Sequence, residues 1–287
     1  MEFSLNSNSL QKRLASGKVM EPEEIAALAA KAGFQYMEWG LPKEDVAAAA
    51  ARMRKAAEAN GLKVLSFING PSILFPERVL EVGKIAADNG GTRLRIAHPW
   101  FAWDLNESRH QPDDFTKLVE MSRAGLAKLN QLAGDLPVQF VFETHGSSVF
   151  ASPWAAYSLM AEYPASRYGM IYDPTNTWLE GFVRPRGAVE LLGDKLSYIH
   201  AKGLKIVFEG GERKTTRCGL AEGAANWPEI FFALKLHNRK PVFSFEEMAS
   251  PPETVLDELK AGRDYLLKTE AEAPSTLIEP YLDFNYK

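Results

Sequence analysis

The chain has 287 residues, of which 46% are hydrophobic and 24% are charged, so it can bury a large core and is neither disordered nor fibrous. Its 33 Lys and Arg residues against 37 Asp and Glu residues give a formal net charge of -4. This charge argues against electrostatic binding of nucleic acid or an anionic membrane by the chain as a whole and favours a small-molecule partner. The single cysteine, Cys218, the lack of a signal-peptide pattern and the absence of a long apolar run predict a soluble, cytoplasmic protein that does not enter a membrane.

Short apolar runs rich in β-branched and aromatic residues recur along the chain, and this pattern predicts strands. We count eight of them, at residues 3–5, 36–39, 64–68, 93–97, 138–143, 169–172, 196–201 and 242–246.

Longer amphipathic or Ala-rich stretches lie between these strands and predict helices. They cover residues 22–32, 43–60, 76–89, 112–133, 152–163, 188–193, 226–237 and 252–269. Most begin at Pro, Ser, Asp or Asn and several end at Gly, which are ordinary helix start and stop signals.

Eight strand-then-helix units in fewer than 300 residues predict an α/β fold, a closed (β/α)₈ TIM barrel in one domain over residues 1–269. No Gly-x-Gly-x-x-Gly follows the first strand, which disfavours a dinucleotide-binding sheet. The tail at 270–287 contains three aromatic residues; we expect it to pack on the barrel or to meet a second subunit of a homo-oligomer.

Polar residues end the last four predicted strands, where a barrel carries its functional groups. These residues are Glu143, Asp173, His200 and Glu246. An unpaired carboxylate stripped of water at such a position is costly, and a shared divalent cation removes that cost. Three carboxylates with one imidazole suit Mn²⁺, Mg²⁺ or Co²⁺, with Zn²⁺ as a further candidate.

Several short motifs resemble those of the xylose isomerase-like TIM barrels, the sugar phosphate isomerase/epimerase superfamily. The motifs are Glu143-Thr144-His145, Tyr172-Asp173-Pro174-Thr175-Asn176, Ile199-His200-Ala201-Lys202 and Phe245-Glu246, supported by Gly33 to Glu38 and by Gly219 to Gly223 before Asn226-Trp227. The similarity covers nearly the whole chain.

The resemblance implies a divalent metal, Mn²⁺ in the first place, held by Glu143, Asp173, His200 and Glu246. It implies an enzyme that moves a proton at the carbon next to a carbonyl of a sugar, through an enediolate, as an isomerase or epimerase. Glu143 and Glu246 come from strands three apart in a ring of eight, so we expect them to face each other as the acid/base pair.

Two features depart from the family pattern. Gly203 stands where the family often has Asp, and Ala221-Glu222-Gly223 replaces the common Gly-Glu-Gly. Ketose 3-epimerases usually have a histidine at the position of Asn176, which places that particular activity in doubt.

A second group of residues is predicted to bind substrate or to orient the metal ligands. Its members are Glu38, His98, His145, Asn176, Lys202 and Arg217. The segment 203–219, expected to be a loop, is locally basic in an acidic protein. Its positive charge is consistent with binding of an anionic carbohydrate substrate. The alternative is a mobile loop whose charged side chains are simply solvated.

Three other functions remain open at this point. A keto-sugar or keto-inositol dehydratase would use the same base and metal. An apurinic endonuclease-like DNA repair enzyme would need more histidines at strand ends than five in the chain supply, and basic charge besides. A non-enzymatic sugar-binding protein is disfavoured, because all four candidate metal ligands are retained in the sequence.

Overall fold

The computed structural model describes residues 1–11, 20–97, 99, 115–146, 148–180, 183–251 and 254–276. His98, which was predicted to bind substrate, and the tail beyond residue 276 lie outside the described residues.

The described residues form ten strands. In chain order these are β1 (Glu2–Asn6), β2 (Tyr36–Gly40), β3 (Lys63–Ser72), β4 (Arg93–Ala97), β5 (Gln139–Glu143), β6 (Tyr168–Tyr172), β7 (Leu196–Ala201), β8 (Leu204–Glu209), β9 (Glu212–Arg217) and β10 (Val242–Phe245).

Ten α-helices lie in the same described ranges. They are α1 (Asn8–Gln11), α2 (Pro22–Lys31), α3 (Val46–Ala59), α4 (Pro76–Asp88), α5 (Phe115–Ala133), α6 (Pro153–Met160), α7 (Pro174–Glu180), α8 (Pro185–Leu192), α9 (Trp227–Leu236) and α10 (Val255–Glu272). Two short 3₁₀ turns, Gly193–Lys195 and Leu220–Glu222, complete the connections. No helix in these ranges is both long and apolar enough to cross a membrane.

Eight parallel strands close into a barrel in the order β1, β2, β3, β4, β5, β6, β7, β10. The predicted single-domain (β/α)₈ barrel is therefore confirmed. Closure follows from β10 pairing with β1, for example Phe243 with Phe3, which leaves none of the eight strands as a free edge.

Side chains alternate along the strands, apart from register shifts at β2 and β3, and this alternation separates the barrel interior from the helix layer. In β5, Phe140 and Phe142 belong to the main hydrophobic core outside the barrel, whereas Val141 belongs to a separate small cluster with Leu65, Ile171, Tyr198 and Val242. That small cluster fills the middle of the barrel. Since side chains alternate along a strand, Glu143, two residues beyond Val141, also faces inward but at the carboxyl end.

Several segments differ from the prediction; the short helix α1 was not predicted, and β3 extends beyond residue 68 to Ser72. The segment 203–219 is not a loop, because it contains the antiparallel hairpin of β8 and β9, which the turn pair Gly210 and Gly211 closes, both at positive φ. The helix α7 was also missed; it begins at Pro174, immediately after β6, where proline is favoured in a first helical turn.

Candidate metal centre

The four predicted metal ligands converge at the carboxyl end of the barrel. Glu143 is the last residue of β5, Asp173 follows β6, His200 lies near the end of β7, and Glu246 follows β10. One ligand atom from each can be chosen so that all four lie within 4.8 Å of one another. Three of the side chains are buried, and only Glu246, 13% exposed, reaches the surface of the site.

His200 is held between two sets of carboxylates. Its Nδ1 lies 3.0 Å from Glu143 Oε1 and 3.2 Å from Glu246 Oε2, and 3.9 Å from Asp173 Oδ2. Its Nε2 lies 3.1 Å from both carboxylate oxygens of Glu38. When Nε2–H donates to Glu38, the lone pair of Nδ1 points at the three acids, which is the tautomer that a metal ligand needs.

Glu38 lies beneath the cluster and is fully buried. It accepts hydrogen bonds from the Tyr198 hydroxyl at 2.6 Å and from the Ser244 hydroxyl at 2.7 Å. With His200 as a further partner, Glu38 supports the histidine and does not reach the open mouth of the barrel.

Two cations balance part of the acidic charge. Arg95 Nη2 lies 2.5 Å from Glu143 Oε2, and Arg95 Nη1 lies 3.9 Å from Glu246 Oε1. Lys202 Nζ lies 2.9 Å from Asp173 Oδ2 and 3.6 Å from Glu246 Oε2. Because Glu38 belongs to the same cluster, four carboxylates face two permanent cations, and a divalent ion would remove the difference.

Burial and charge set the protonation states of this cluster. Burial raises the pKa of Glu143, but the charge of Arg95 and then of His200 outweighs it and holds that pKa well below its ordinary value. Burial also raises the pKa of Glu246, yet His200 and Lys202 lower it to about 2. Both glutamates are therefore ionised at neutral pH.

The other two ligand candidates respond differently. Burial raises the pKa of Asp173 to about 6, with Lys202 opposing the rise. Burial lowers the pKa of His200, but the charges of Glu246, Glu38 and Glu143 hold it well above its ordinary value. The surrounding groups thus favour positive charge beside Nδ1.

The donor set fits a divalent metal. Glu143 Oε2 and Asp173 Oδ2 are buried and accept no hydrogen bond, although each lies beside a cation. Oxygen donors with one imidazole nitrogen match Mn²⁺, Mg²⁺, Co²⁺ or Zn²⁺. Each of the four predicted residues can therefore offer one atom to the same ion.

A cavity of about 410 Å³ opens above the cluster, within the usual size range of a small-molecule site. Three of the predicted substrate-binding residues, His145, Lys202 and Arg217, line it together with Glu143 and Glu246. The remaining lining is polar and comes from Asn8, Ser9, Asn69, Arg95 and Glu247.

Asn176 lies beside the ligands rather than in the cavity lining. Its Nδ2 donates to Glu143 Oε1 at 3.2 Å and to the Thr144 carbonyl at 3.0 Å, and its backbone N–H donates to Asp173 Oδ1 at 2.8 Å. These contacts orient Glu143 and Asp173.

Sequence analysis missed several groups of this site. Arg95 carried a usable signal, because Arg93 and Arg95 alternate with Leu94 and Ile96 in a predicted strand, which turns both charges to one face. Asn6, whose Nδ2 donates to Glu246 Oε1 at 3.0 Å, gave no comparable signal.

Comparisons with known proteins agree with the fold. A sequence model of the family described as xylose isomerase-like TIM barrel matches residues 26–266. No curated protein matches the chain.

Solved structures resemble the chain over nearly its whole length. D-psicose 3-epimerase from Clostridium cellulolyticum H10, with D-tagatose, has a TM-score of 0.71 and 14% identity, over 94% of this chain and 99% of its own. The IOLI protein with a bound zinc atom has a TM-score of 0.70 and 14% identity, over 96% and 100%. The probable 3-DHS dehydratase AsbF from Bacillus anthracis has a TM-score of 0.66 and 16% identity, over 93% and 99%.

Proposed function

The chain belongs to the xylose isomerase-like TIM barrel family, and from this premise we propose that it is a divalent-metal-dependent isomerase or epimerase of a sugar or sugar derivative. The observation that carries the proposal is the convergence of Glu143, Asp173, His200 and Glu246 within 4.8 Å, next to a polar cavity that Glu143 and Glu246 line. An epimerase of the same fold, with a sugar in its structure, supports the substrate class.

The proposed catalytic residues are Glu143 and Glu246. Both are ionised because their pKa values are lowered, and both line the cavity. One carboxylate takes the proton from the carbon next to the carbonyl and later releases it to solvent. The other first takes up a proton from solvent and delivers it, to the adjacent carbon for isomerisation or to the opposite face for epimerisation.

A bound divalent metal supplies Lewis-acid polarisation of the substrate carbonyl. Two cationic side chains of the protein would also stabilise negative charge on the substrate. Arg95 and Lys202 line the cavity and stabilise negative charge that develops on a substrate oxygen, because they are already positioned and need no reorganisation.

Mn²⁺ is the metal we propose first, with Mg²⁺, Co²⁺ and Zn²⁺ as competitors. The zinc atom in the IOLI structure supports metal binding on this fold. His145 and Arg217, at the cavity wall, are proposed to contact substrate hydroxyl or anionic groups.

The test is Glu246→Gln, assayed with Mn²⁺ against a panel of ketoses and their phosphates. We expect turnover to fall by about 10²- to 10⁴-fold, the usual contribution of a general acid or base. Metal content is measured on the same sample. Glu81→Gln, an exposed glutamate on α4, is the matched control. Full turnover in a metal-loaded Glu246→Gln protein would contradict the assignment.

A dehydratase is the second candidate, because a probable 3-DHS dehydratase shares the fold. Removal of the same proton followed by loss of a β-hydroxyl would use the same carboxylate base. Mass spectrometry of the product distinguishes the two reactions, since dehydration removes one water and isomerisation leaves the mass unchanged.

The remaining candidates have less support. The metal-ligand cluster within the described residues contains one histidine, and the chain is acidic, which disfavours a DNA-cleaving site. A sugar sensor without catalysis would be supported instead if titration with Mn²⁺ showed no tight binding.

A further inference from the structure

The hairpin of β8 and β9 stands apart from the barrel as a two-stranded antiparallel sheet. Its strands are in register from Leu204 and Arg217 at the base to Glu209 and Glu212 at the tip. A lone two-stranded hairpin is marginally stable in water, and additional strands are what normally stabilise such a ribbon.

The register fixes which backbone groups of β8 are unpaired. In an antiparallel ladder, alternate residues face the partner strand and the next ones face outward. Leu204 faces outward, because its carbonyl accepts from Ala224 N–H at 2.8 Å. Ile206 and Phe208 share this orientation, and no backbone group outside the hairpin bonds to either of them in the described ranges.

The middle of the outer edge of β8 lacks the usual features that prevent pairing, and the charges of the strand, Lys205 and Glu209, lie on either side of it. This middle part is Ile206, Val207 and Phe208, with no charge, proline or bulge. Phe208 is 74% exposed. An unprotected apolar edge of this kind pairs readily with another strand.

The sequence of this edge is complementary to itself. If two copies of β8 pair antiparallel about Val207, then Ile206 lies opposite Phe208 and Lys205 lies opposite Glu209. The outward backbone groups of Ile206 and Phe208 then exchange hydrogen bonds. Each Lys205 lies opposite the Glu209 of the other copy, so the two-fold axis produces two such ion pairs.

We propose that the outer edge of β8 is a homodimer interface, which joins two hairpins into one four-stranded antiparallel sheet. The occupant is a second copy of this chain, because the opposite charges at the two ends of the Lys205–Glu209 segment match when the same segment runs in reverse. A standard stable interface buries more surface than these residues offer, so the dimer forms in a concentration-dependent equilibrium.

Charge reversal tests the register. Lys205→Glu and Glu209→Lys each place like charges opposite one another at both ends of the interface, and we expect the dimer dissociation constant to rise about tenfold or more. An equimolar mixture of the two variants restores opposite charges at both ends, so the mixture should dimerise as the unmodified chain does. Sedimentation equilibrium over a concentration series gives the average mass of the unmodified chain, of each variant and of the mixture, for comparison with the chain mass of 31.9 kDa.

Lys84→Glu is the matched control, since it makes the same charge change at an exposed position on α4. It should leave the dissociation constant unchanged. The ion pairs that Lys205 and Glu209 make within the chain, with Glu222 and Lys214, are exposed, so the variants should fold normally, as far-ultraviolet circular dichroism would verify.

Three results would overturn the proposal. They are a monomer mass for the unmodified chain throughout the series, a dimer that Lys205→Glu does not weaken more than Lys84→Glu does, and a mixture that stays monomeric. The first of these would leave the edge open to a strand of a different protein.

Discussion

At the residue scale, the buried carboxylate of Glu38 determines how His200 can act. Its contact with Nε2 at 3.1 Å leaves Nδ1 directed toward the ligand carboxylates. Tyr198 and Ser244 fix the orientation of Glu38 itself. A metal ligand whose second nitrogen is held in this way is pre-oriented and more basic.

This arrangement predicts the effect of Glu38→Gln. The amide retains the volume of the side chain but removes the negative charge beside Nε2, so we expect the affinity for Mn²⁺ to fall about 10- to 100-fold. Isothermal titration calorimetry measures the change.

Tyr198→Phe is a milder variant whose Mn²⁺ affinity can be compared with that of Glu38→Gln. It removes one of the hydrogen bonds that Glu38 accepts and leaves the carboxylate in place, so its effect should be smaller. Equal Mn²⁺ affinity in Glu38→Gln and the unmodified protein would show that Glu38 does not support the metal ligand.

The sequence indicated polar side chains at or just beyond the end of an apolar run, and it did not indicate those nearer the middle of a strand. Glu143 and Glu246 were found because a charge after such a run is conspicuous. Tyr198 and Ser244 were not found, because polar residues inside a strand have the same appearance whether they face a site or solvent.

At the element scale, close approach of a helix to a strand end depends on one glycine. A Cβ at Gly125 in α5 would lie 2.3 Å from the carbonyl oxygen of Ile73, just after β3. Backbone cannot move aside as a flexible side chain can, so the packing of α5 requires glycine here.

Gly125→Ala should therefore destabilise the fold by about 1–3 kcal/mol, the usual cost of overpacking. Gly187→Ala in α8 is the matched control, because its nearest neighbour, Val183 Cγ1, is 3.8 Å from the added Cβ. It should stabilise the fold by about 0.5–1 kcal/mol through helix propensity.

Urea denaturation of both variants measures these free energies of unfolding. If Gly125→Ala were as stable as Gly187→Ala, the close approach of α5 to Ile73 would not exist in solution.

The hairpin of β8 and β9 shows how an element can be missed although its sequence contained a signal. Gly210 and Gly211 separate a β-rich run from a second run that includes two threonines, and a two-residue glycine turn between such runs is typical of a hairpin. The basic charge of 203–219 had instead suggested a loop.

At the scale of the whole molecule, the candidate metal centre connects distant parts of the barrel. Its candidate ligands come from β5, β7 and the residues after β6 and β10, and they are brought together only in the folded chain, so an ion that binds all four would bind only the folded state. Binding of this kind must raise the free energy of unfolding.

Addition of Mn²⁺ should accordingly raise the unfolding temperature, with about 2.7 kcal/mol of added stability at a free concentration 100-fold above the dissociation constant. Asp173→Asn keeps the side-chain volume but weakens the donor set, so the shift should shrink or vanish. Differential scanning fluorimetry suffices for the measurement. An equal shift in Asp173→Asn would mean that the ion binds elsewhere.

The sequence by itself determined the eight barrel strands and the four residues that could ligate a metal, because both depend on local alternation and on position along a strand. Only the tertiary structure showed that Glu38 lies under His200 and that Arg95 lies against Glu143. These contacts join strands that are far apart in the chain, and they depend on the registers that are set when the barrel closes.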